Sequence, residues 1–347
     1  MNYGKLNEDV YERSVVKVIN ANMNANSTEN KNFYNGAERG DFCAIFPCEN
    51  LADSDIANGK GFASAQATAS GKNAMMRAYE AAINIIAAKG GFLCTENRAY
   101  ADISLLVPEK MREIKVREML AETAQRAETL RILLGNVNVQ VLPWVSMETA
   151  NCVVHMTLQE QIKPKGASPG DDIVMTKWIG LEGSALIARS SSDKLKVRYP
   201  ADIVDEAADF LKYLSVIPEA ATAMKSGASY MQAAREGGIF GGLWELAAKN
   251  SVGLVTDLCS IPVRQETIEV CEYFDLNPYE LLAGGSLLIT CPNGGDMVKA
   301  LTDCGVASAV VGKITEGNDR IIRHEDESRF LEPVRGDEIY KYYVKKG

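Results

Sequence analysis

The stretch Arg235-Glu236-Gly237-Gly238-Ile239-Phe240-Gly241-Gly242-Leu243-Trp244 places four glycines at the mouth of a helix-forming run. Glycine lets a backbone pass close to another group, and the first amides of a helix have no partner within it, so a stretch of this kind can seat a phosphate. The same residues also suit a tight packing crossover with no ligand. Both readings stand on the residues alone.

Outward from this stretch, strand and helix signals alternate on both sides. Lys163-Pro164-Lys165-Gly166-Ala167-Ser168-Pro169-Gly170, polar and carrying two prolines and two glycines, separates the chain into halves. Before it, a helix is predicted over Leu6–Ile19 with Asn7 as N-cap, then a loop rich in Asn and Ser over Asn20–Asn35. Strands are predicted near Phe42–Phe46, Gly61–Ala69, Ala101–Val107, Arg131–Leu142 and Cys152–Leu158. Between them, Met75, Met76, Tyr79, Ala82, Ile83 and Ile86 recur at three- and four-residue spacing, which predicts one face of a helix. A second helix is predicted over Glu109–Leu130, with Ile114, Met119, Leu120, Thr123, Ala127 and Leu130 inward.

Beyond the boundary the pattern restarts. Strands are predicted at Ile173–Lys177, Val252–Leu258, Ser286–Cys291 and Ala307–Ile314. Helices are predicted at Ser184–Arg189, Ile203–Leu214, Pro218–Lys225, Gly241–Lys249, Gln265–Phe274 and Gly294–Cys304, with a short one after Asn277-Pro278. The end, Arg320–Gly347, is read as a last strand and a surface tail. The fold class is therefore α/β (α+β), with domains at 1–162 and 171–334 and a tail at 335–347.

At 347 residues the chain is long enough for two cores. A net charge of −9 argues against a nucleic-acid partner, because phosphate backbones select basic surfaces. No apolar run of about 18 residues points to a membrane span, and Met1-Asn2-Tyr3-Gly4-Lys5 lacks the apolar core of a signal peptide, so a cytoplasmic protein with no membrane partner is expected. The eight cysteines form no CxxC pair, and the only histidines are His155 and His324. A zinc ribbon, a disulfide framework and a histidine-rich metal site are thereby disfavoured.

Asp171–Ala188, Val216–Ala221, Glu236–Trp244, Ile261-Pro262-Val263, Cys271–Pro278 and Val311-Gly312-Lys313-Ile314 resemble, in order, the C-terminal half of the aminoimidazole ribonucleotide synthetase-like (PurM-like) superfamily. Within it, the chain is similar to the bacterial hydrogenase maturation factors that dehydrate a carbamoyl group. The resemblance implies a two-domain fold whose N-terminal sheet domain forms dimers, with a C-terminal α/β domain. It also implies ATP and magnesium in a groove near the dimer interface, where carboxylates hold the metal while an amide or similar group is phosphorylated.

Aligned on those motifs, the acids are missing. The family's Gly-Glu-Asp-Cys-Ala is Gly40-Asp41-Phe42-Cys43-Ala44 here, and Ser-Thr-Asp-Pro falls on Ala63-Ser64-Ala65-Gln66. Ala-Asn-Asp-Leu falls on Ile83-Asn84-Ile85-Ile86, and the Asp ahead of the glycine stretch falls on Ala233. Gly-Gly-His-Thr-Glu maps onto Asn136–Gln140. Magnesium takes hard oxygen ligands, which Phe, Ala and Ile do not offer. The family's terminal Pro-Arg-Ile-Cys thiol is also absent from the end Tyr340–Gly347.

The leading expectation is a protein of this fold without magnesium-ATP phosphoryl transfer, with no cofactor and no metal, acting as a homodimer or as a heterodimer with an active paralogue. No catalytic residue is assigned. Asn84, Lys177, Glu182, Gly237, Gly238, Gly241 and Gly242 are left to line a residual groove, although Lys177 and Glu182 also read as strand-end charges. The alternative is an ATP-dependent enzyme whose acids come from Asp41, Asp53, Asp55 or Glu80. A third possibility is a small metabolite bound without metal by Lys72, Asn73, Asn84 and the glycine-rich backbone.

Overall fold

The structure, a computed structural model, describes residues 10, 12–17, 43–46, 61–92, 99–158 and 166–346. Asp41, Asp53, Asp55, the Gly40–Phe42 part of the first motif and the Asn20–Asn35 loop lie outside these residues. Of the predicted first helix, only a π-helical turn, Glu12–Val16, and its immediate neighbours are described. The described residues divide into two compact units, 43–158 in one and 166–346 in the other, and the Glu12–Val16 turn, expected in the first domain, groups with the latter.

In the first unit, β1 (Cys43–Phe46), β2 (Gly61–Ser70), α1 (Ala74–Ala87), β3 (Ala99–Pro108), α2 (Glu113–Thr129), β4 (Ile132–Leu142) and β5 (Thr149–Leu158) follow in order. The strands form one sheet in the order β1-β2-β5-β3-β4, antiparallel except for the parallel β3–β4 pair. Alternation sorts the two sheet faces, as the pleat requires. Ala63, Ala65 and Ala69 of β2, Ala99, Ala101, Ile103 and Leu105 of β3, and Ala150, Cys152 and Val154 of β5 are buried. A floor of alanines lets α1 lie close. Met75, Tyr79, Ala82, Ile83 and Ile86 are buried as the spacing predicts, while Met76 is half-buried.

α2 departs from its predicted stripe. Thr123 and Ala127 are its buried residues, Met119, Leu120 and Leu130 are half-buried, and Ile114 is exposed. The helix rests on α1 and β4 rather than over the middle of the sheet, so a narrow strip is covered. Arg126 at its end pairs with the buried Glu80 of α1.

The second unit contains β6 (Asp172–Thr176), α3 (Leu181–Arg198), α4 (Ala201–Asp209), a 3-10 turn (Phe210–Tyr213), α5 (Ile217–Lys225), β7 (Tyr230–Ala233) and α6 (Gly238–Asn250). β8 (Gly253–Asp257), a 3-10 turn (Leu258–Ser260), α7 (Gln265–Phe274), β9 (Leu287–Cys291), α8 (Gly294–Asp303), β10 (Ser308–Thr315), β11 (Arg320–His324), β12 (Glu327–Phe330) and α9 (Glu338–Lys346) complete it. Its seven strands run in the order β12-β11-β8-β10-β6-β9-β7, mostly antiparallel. One core cluster joins the sheet to α6 through Ile173, Met175, Ile239, Leu243 and Leu288. Another joins α3, α4, α7 and α9 through Leu186, Phe210, Val270 and Tyr342.

Three expectations change here. The predicted short helix after Asn277-Pro278 is a turn in which Asn277 Oδ1 accepts the Tyr279 N–H at 3.1 Å, a local bond that competes with helix. β7 was not predicted, because Tyr230-Met231-Gln232-Ala233 is too short to show a period. Within residues 335–347, read as a tail, α9 brings Ile339 and Tyr342 into the core. Tyr342 Oη lies 2.7 Å from Ser191 Oγ, at the point where α3 kinks out of helical geometry. Tyr342→Ala is therefore expected to lower unfolding stability by about 3 kcal/mol, the usual scale for emptying a buried aromatic site, in urea denaturation; a surface tail would give no measurable change.

Candidate functional site

In the first unit the motif positions do not share one surface. Ala65 is buried on the helix-covered face of the sheet, paired with Cys43 on β1 and Val154 on β5. A side chain there projects into the core, while its neighbours Ser64 and Gln66 belong to the opposite face. Ile85 is half-buried on α1, and Asn84 beside it is buried. Asn136–Gln140 lies on β4, the edge strand, largely exposed. Glu80, an alternative acid, is engaged with Arg126 under α2.

In the second unit the glycine stretch links β7 to α6. Gly237 caps the helix in left-handed geometry (φ 79°), and Gly238 follows at φ 64°. Three amides at this end are engaged within the chain. Gly237 N–H donates to Asp337 Oδ2 at 2.7 Å, Gly238 N–H to the Arg235 carbonyl at 3.1 Å, and Phe240 N–H to the Tyr279 carbonyl at 3.1 Å. Packing accounts for the glycines as well. A Cβ on Gly238 would overlap the Tyr279 carbonyl oxygen, one on Gly241 would lie 2.8 Å from the Glu236 carbonyl, and one on Gly242 3.1 Å from Ala234 Cβ.

Charged side chains around this turn are also paired. Arg235 reaches Glu182 through Nε at 3.3 Å and its second guanidinium nitrogen at 3.4 Å. Glu182 is buried in the first turn of α3, where a carboxylate suits the positive end of the helix dipole. Gly284 leaves room for that carboxylate, since a Cβ there would overlap it. Lys177, buried and left-handed at φ 56°, pairs with the buried Glu219 and donates to the carbonyls of Tyr213 (2.9 Å) and Ser215 (2.6 Å). These bonds hold a conformation that otherwise favours glycine.

Asp337, which the sequence reading passed over, is the centre of the arrangement. It is buried, and its Oδ1 accepts from Leu282 N–H (3.1 Å) and Ile339 N–H (2.9 Å) while Oδ2 takes Gly237 N–H. Burial pushes its carboxyl up to about 7, with Glu236 adding to the rise and the three amides opposing it. The acidic tail pattern Arg335-Gly336-Asp337-Glu338 ahead of Ile339 was the available signal, an acid at the start of a helix. Ala65, Ile85 and Ala233 carry no oxygen on their side chains. Among the described residues no three His, Cys, Asp or Glu side chains are grouped to hold a metal ion, and no helix is long and apolar enough to cross a membrane.

Residues 168–325 match the family model for the AIR synthase related protein, C-terminal domain. A carbamoyl dehydratase HypE from Rhizobium leguminosarum bv. viciae is 24% identical over 169 residues, 47% of this chain and 45% of that protein. The chain thus matches under half the length of that curated relative. E. coli HypE, described as a hydrogenase maturation protein, superposes with a TM-score of 0.66 at 17% identity, covering 82% of this chain and 89% of that one. The structure described as AaThiL complexed with AMPPCP and TMP gives a TM-score of 0.65 at 14% identity, over 92% and 96% of the two chains. The fold is accordingly the mixed α/β, two-domain fold expected from the sequence.

Two substitutions test whether these residues serve packing. Lys177→Met leaves Glu219 buried without its counter-charge and is expected to cost about 3–5 kcal/mol, most of it recovered in Lys177→Met/Glu219→Leu. Gly238→Ala is expected to cost at least about 1 kcal/mol from the left-handed backbone alone. Chemical denaturation reads both. A neutral result for either single variant contradicts the packing role.

Proposed function

We propose that this member of the aminoimidazole ribonucleotide synthetase-like superfamily works as a dimeric binding or partner subunit and does not transfer a phosphoryl group from magnesium-bound ATP. The observation that carries this reading is the Asp337 carboxylate bonded to the Gly237 amide at 2.7 Å. An internal anion takes the donor that a phosphate would use, and Glu236 and Glu182 nearby add negative charge. The residues present do not fit a magnesium-triphosphate: Ala65 faces the core, and Ile85 and Ala233 have no oxygen to offer. Homodimerisation is the family expectation, and pairing with an active paralogue is the other arrangement that gives such a subunit a role.

A second reading is favoured by the similar proteins themselves, one named a carbamoyl dehydratase and one described with AMPPCP and TMP. On that reading this chain is an ATP-dependent enzyme activating an amide or similar group, with acids supplied from other positions.

Calorimetric titration with ATP in the presence and absence of magnesium separates the two. No saturable heat is expected. Magnesium-dependent binding in the micromolar range, with ADP release on a panel of amides and thioamides, supports the enzyme and overturns the subunit reading.

A further inference from the structure

The sheet of the first unit ends on β4, which among the described residues pairs with β3 alone. The N–H and C=O groups of every second residue along its outer side therefore face away from the ladder. Folded proteins blunt such an edge with lysine, proline, a short strand or a bulge. β4 has one bulge, with Gly135 as its extra residue, and beyond it Asn136–Leu142 runs in regular register beside Asp102–Pro108. From Ile132 to Met147 the sequence carries no charged side chain, although 24% of the chain is charged.

Its side chains are as unusual as its backbone. Val139 and Val141 pair in register with the buried Leu105 and Val107, and so project from the helix-covered face. α2 does not reach them fully: Val141 is 61% exposed, and Val139 is exposed as well. Because β3 and β4 are parallel, the first turn of α2, which follows the end of β3, stands at the C-terminal end of β4. There Ile114 is exposed, and Trp144, two residues past the strand, is 77% exposed. On the opposite face Leu133 is exposed beside Tyr100, its register partner. Among the described residues, these six are all the exposed large apolar side chains of the first unit. One alone needs no explanation; their gathering along a single free edge marks a docking surface.

We propose that a second copy of this chain covers this edge, with β4 pairing antiparallel to β4 so that the two sheets continue into one another. The inference rests on the dimeric reading above and supplies its contact surface. Charge favours an identical copy, because an uncharged edge meets itself without setting like charges opposite each other, and each copy carries a net charge of −9. Symmetry agrees, since a two-fold axis lays a strand antiparallel to itself. Centred near Val139, it sets that residue opposite its own counterpart and Val137 opposite Val141. The regular run spans about 23 Å. With the Trp144 turn and the start of α2 beside it, the patch is on the scale of the roughly 800 Å2 per partner that stable pairs bury. Trp144 is the anchor residue of the contact.

Sedimentation of the full chain over a concentration series tests the edge. The unaltered protein is expected to be a dimer at micromolar concentration. Val139→Lys sets two lysines opposite each other and is expected to weaken association at least about a hundredfold. Trp144→Ala, whose side chain is exposed in a single copy and so is not needed for folding, is expected to weaken it by about thirtyfold and serves if Val139→Lys does not fold. Folded Val139→Lys mixed with folded Val139→Glu should associate again as a mixed dimer. A dimer left intact by both Val139→Lys and Trp144→Ala, or folded Lys and Glu variants that do not associate, overturns the β4 contact while the dimeric reading stands. An unaltered protein that stays monomeric overturns both, and slow exchange of alternate β4 amides in that monomer would assign the cover to the chain itself.

Discussion

A single buried carboxylate holds the second unit together where its two cores meet. Asp337 takes amide hydrogens from Gly237, Leu282 and Ile339, three segments far apart in sequence. Gly237 leads into the helix whose Ile239 and Leu243 belong to one core, whereas Leu282 and Ile339 belong to the other. Hydrogen bonds to a charged group contribute roughly 1.5–3 kcal/mol each, comparable in sum to the several kcal/mol it takes to bury one ion. The balance is close, and burial holds the carboxyl high for an aspartate.

The glycine turn is intelligible once this tie is recognised. A phosphate-binding helix terminus keeps its first amides unengaged and its approach clear. Here Tyr279 lies against Gly238, and Asp337 brings an internal anion to Gly237. The neighbouring ion pairs have the same character. Arg235–Glu182 and Lys177–Glu219 add little stability as they stand, yet removal of either partner strands a charge in a dry interior. They fix the segments around the turn.

Much of the fold was legible, because long periodic segments declare themselves. α1 carries its apolar residues at helical spacing, and the strands of both sheets were located within a few residues, β7 and the β11–β12 hairpin aside. The motifs of the second half also pointed to the AIR synthase related C-terminal domain, whose family model matches residues 168–325. Two kinds of information were not in the local pattern. Which strip of α2 is covered depends on its resting at the sheet's margin, and Ile114 is exposed for that reason. The partner of the Gly237 amide is a residue one hundred positions away, which no local motif encodes. The sequence resemblance put an aspartate where Ala65 stands, but only the pleat of β2 reveals that this position faces the core.

The central claim is that Asp337 already fills the anion seat at the glycine helix. The most direct measurement is the amide NMR resonance of Gly237 in 15N-labelled protein titrated with ATP and magnesium. The account predicts that this resonance stays in place while Asp337→Ala moves it strongly. A saturable shift of Gly237 on adding nucleotide to the unaltered protein would contradict it.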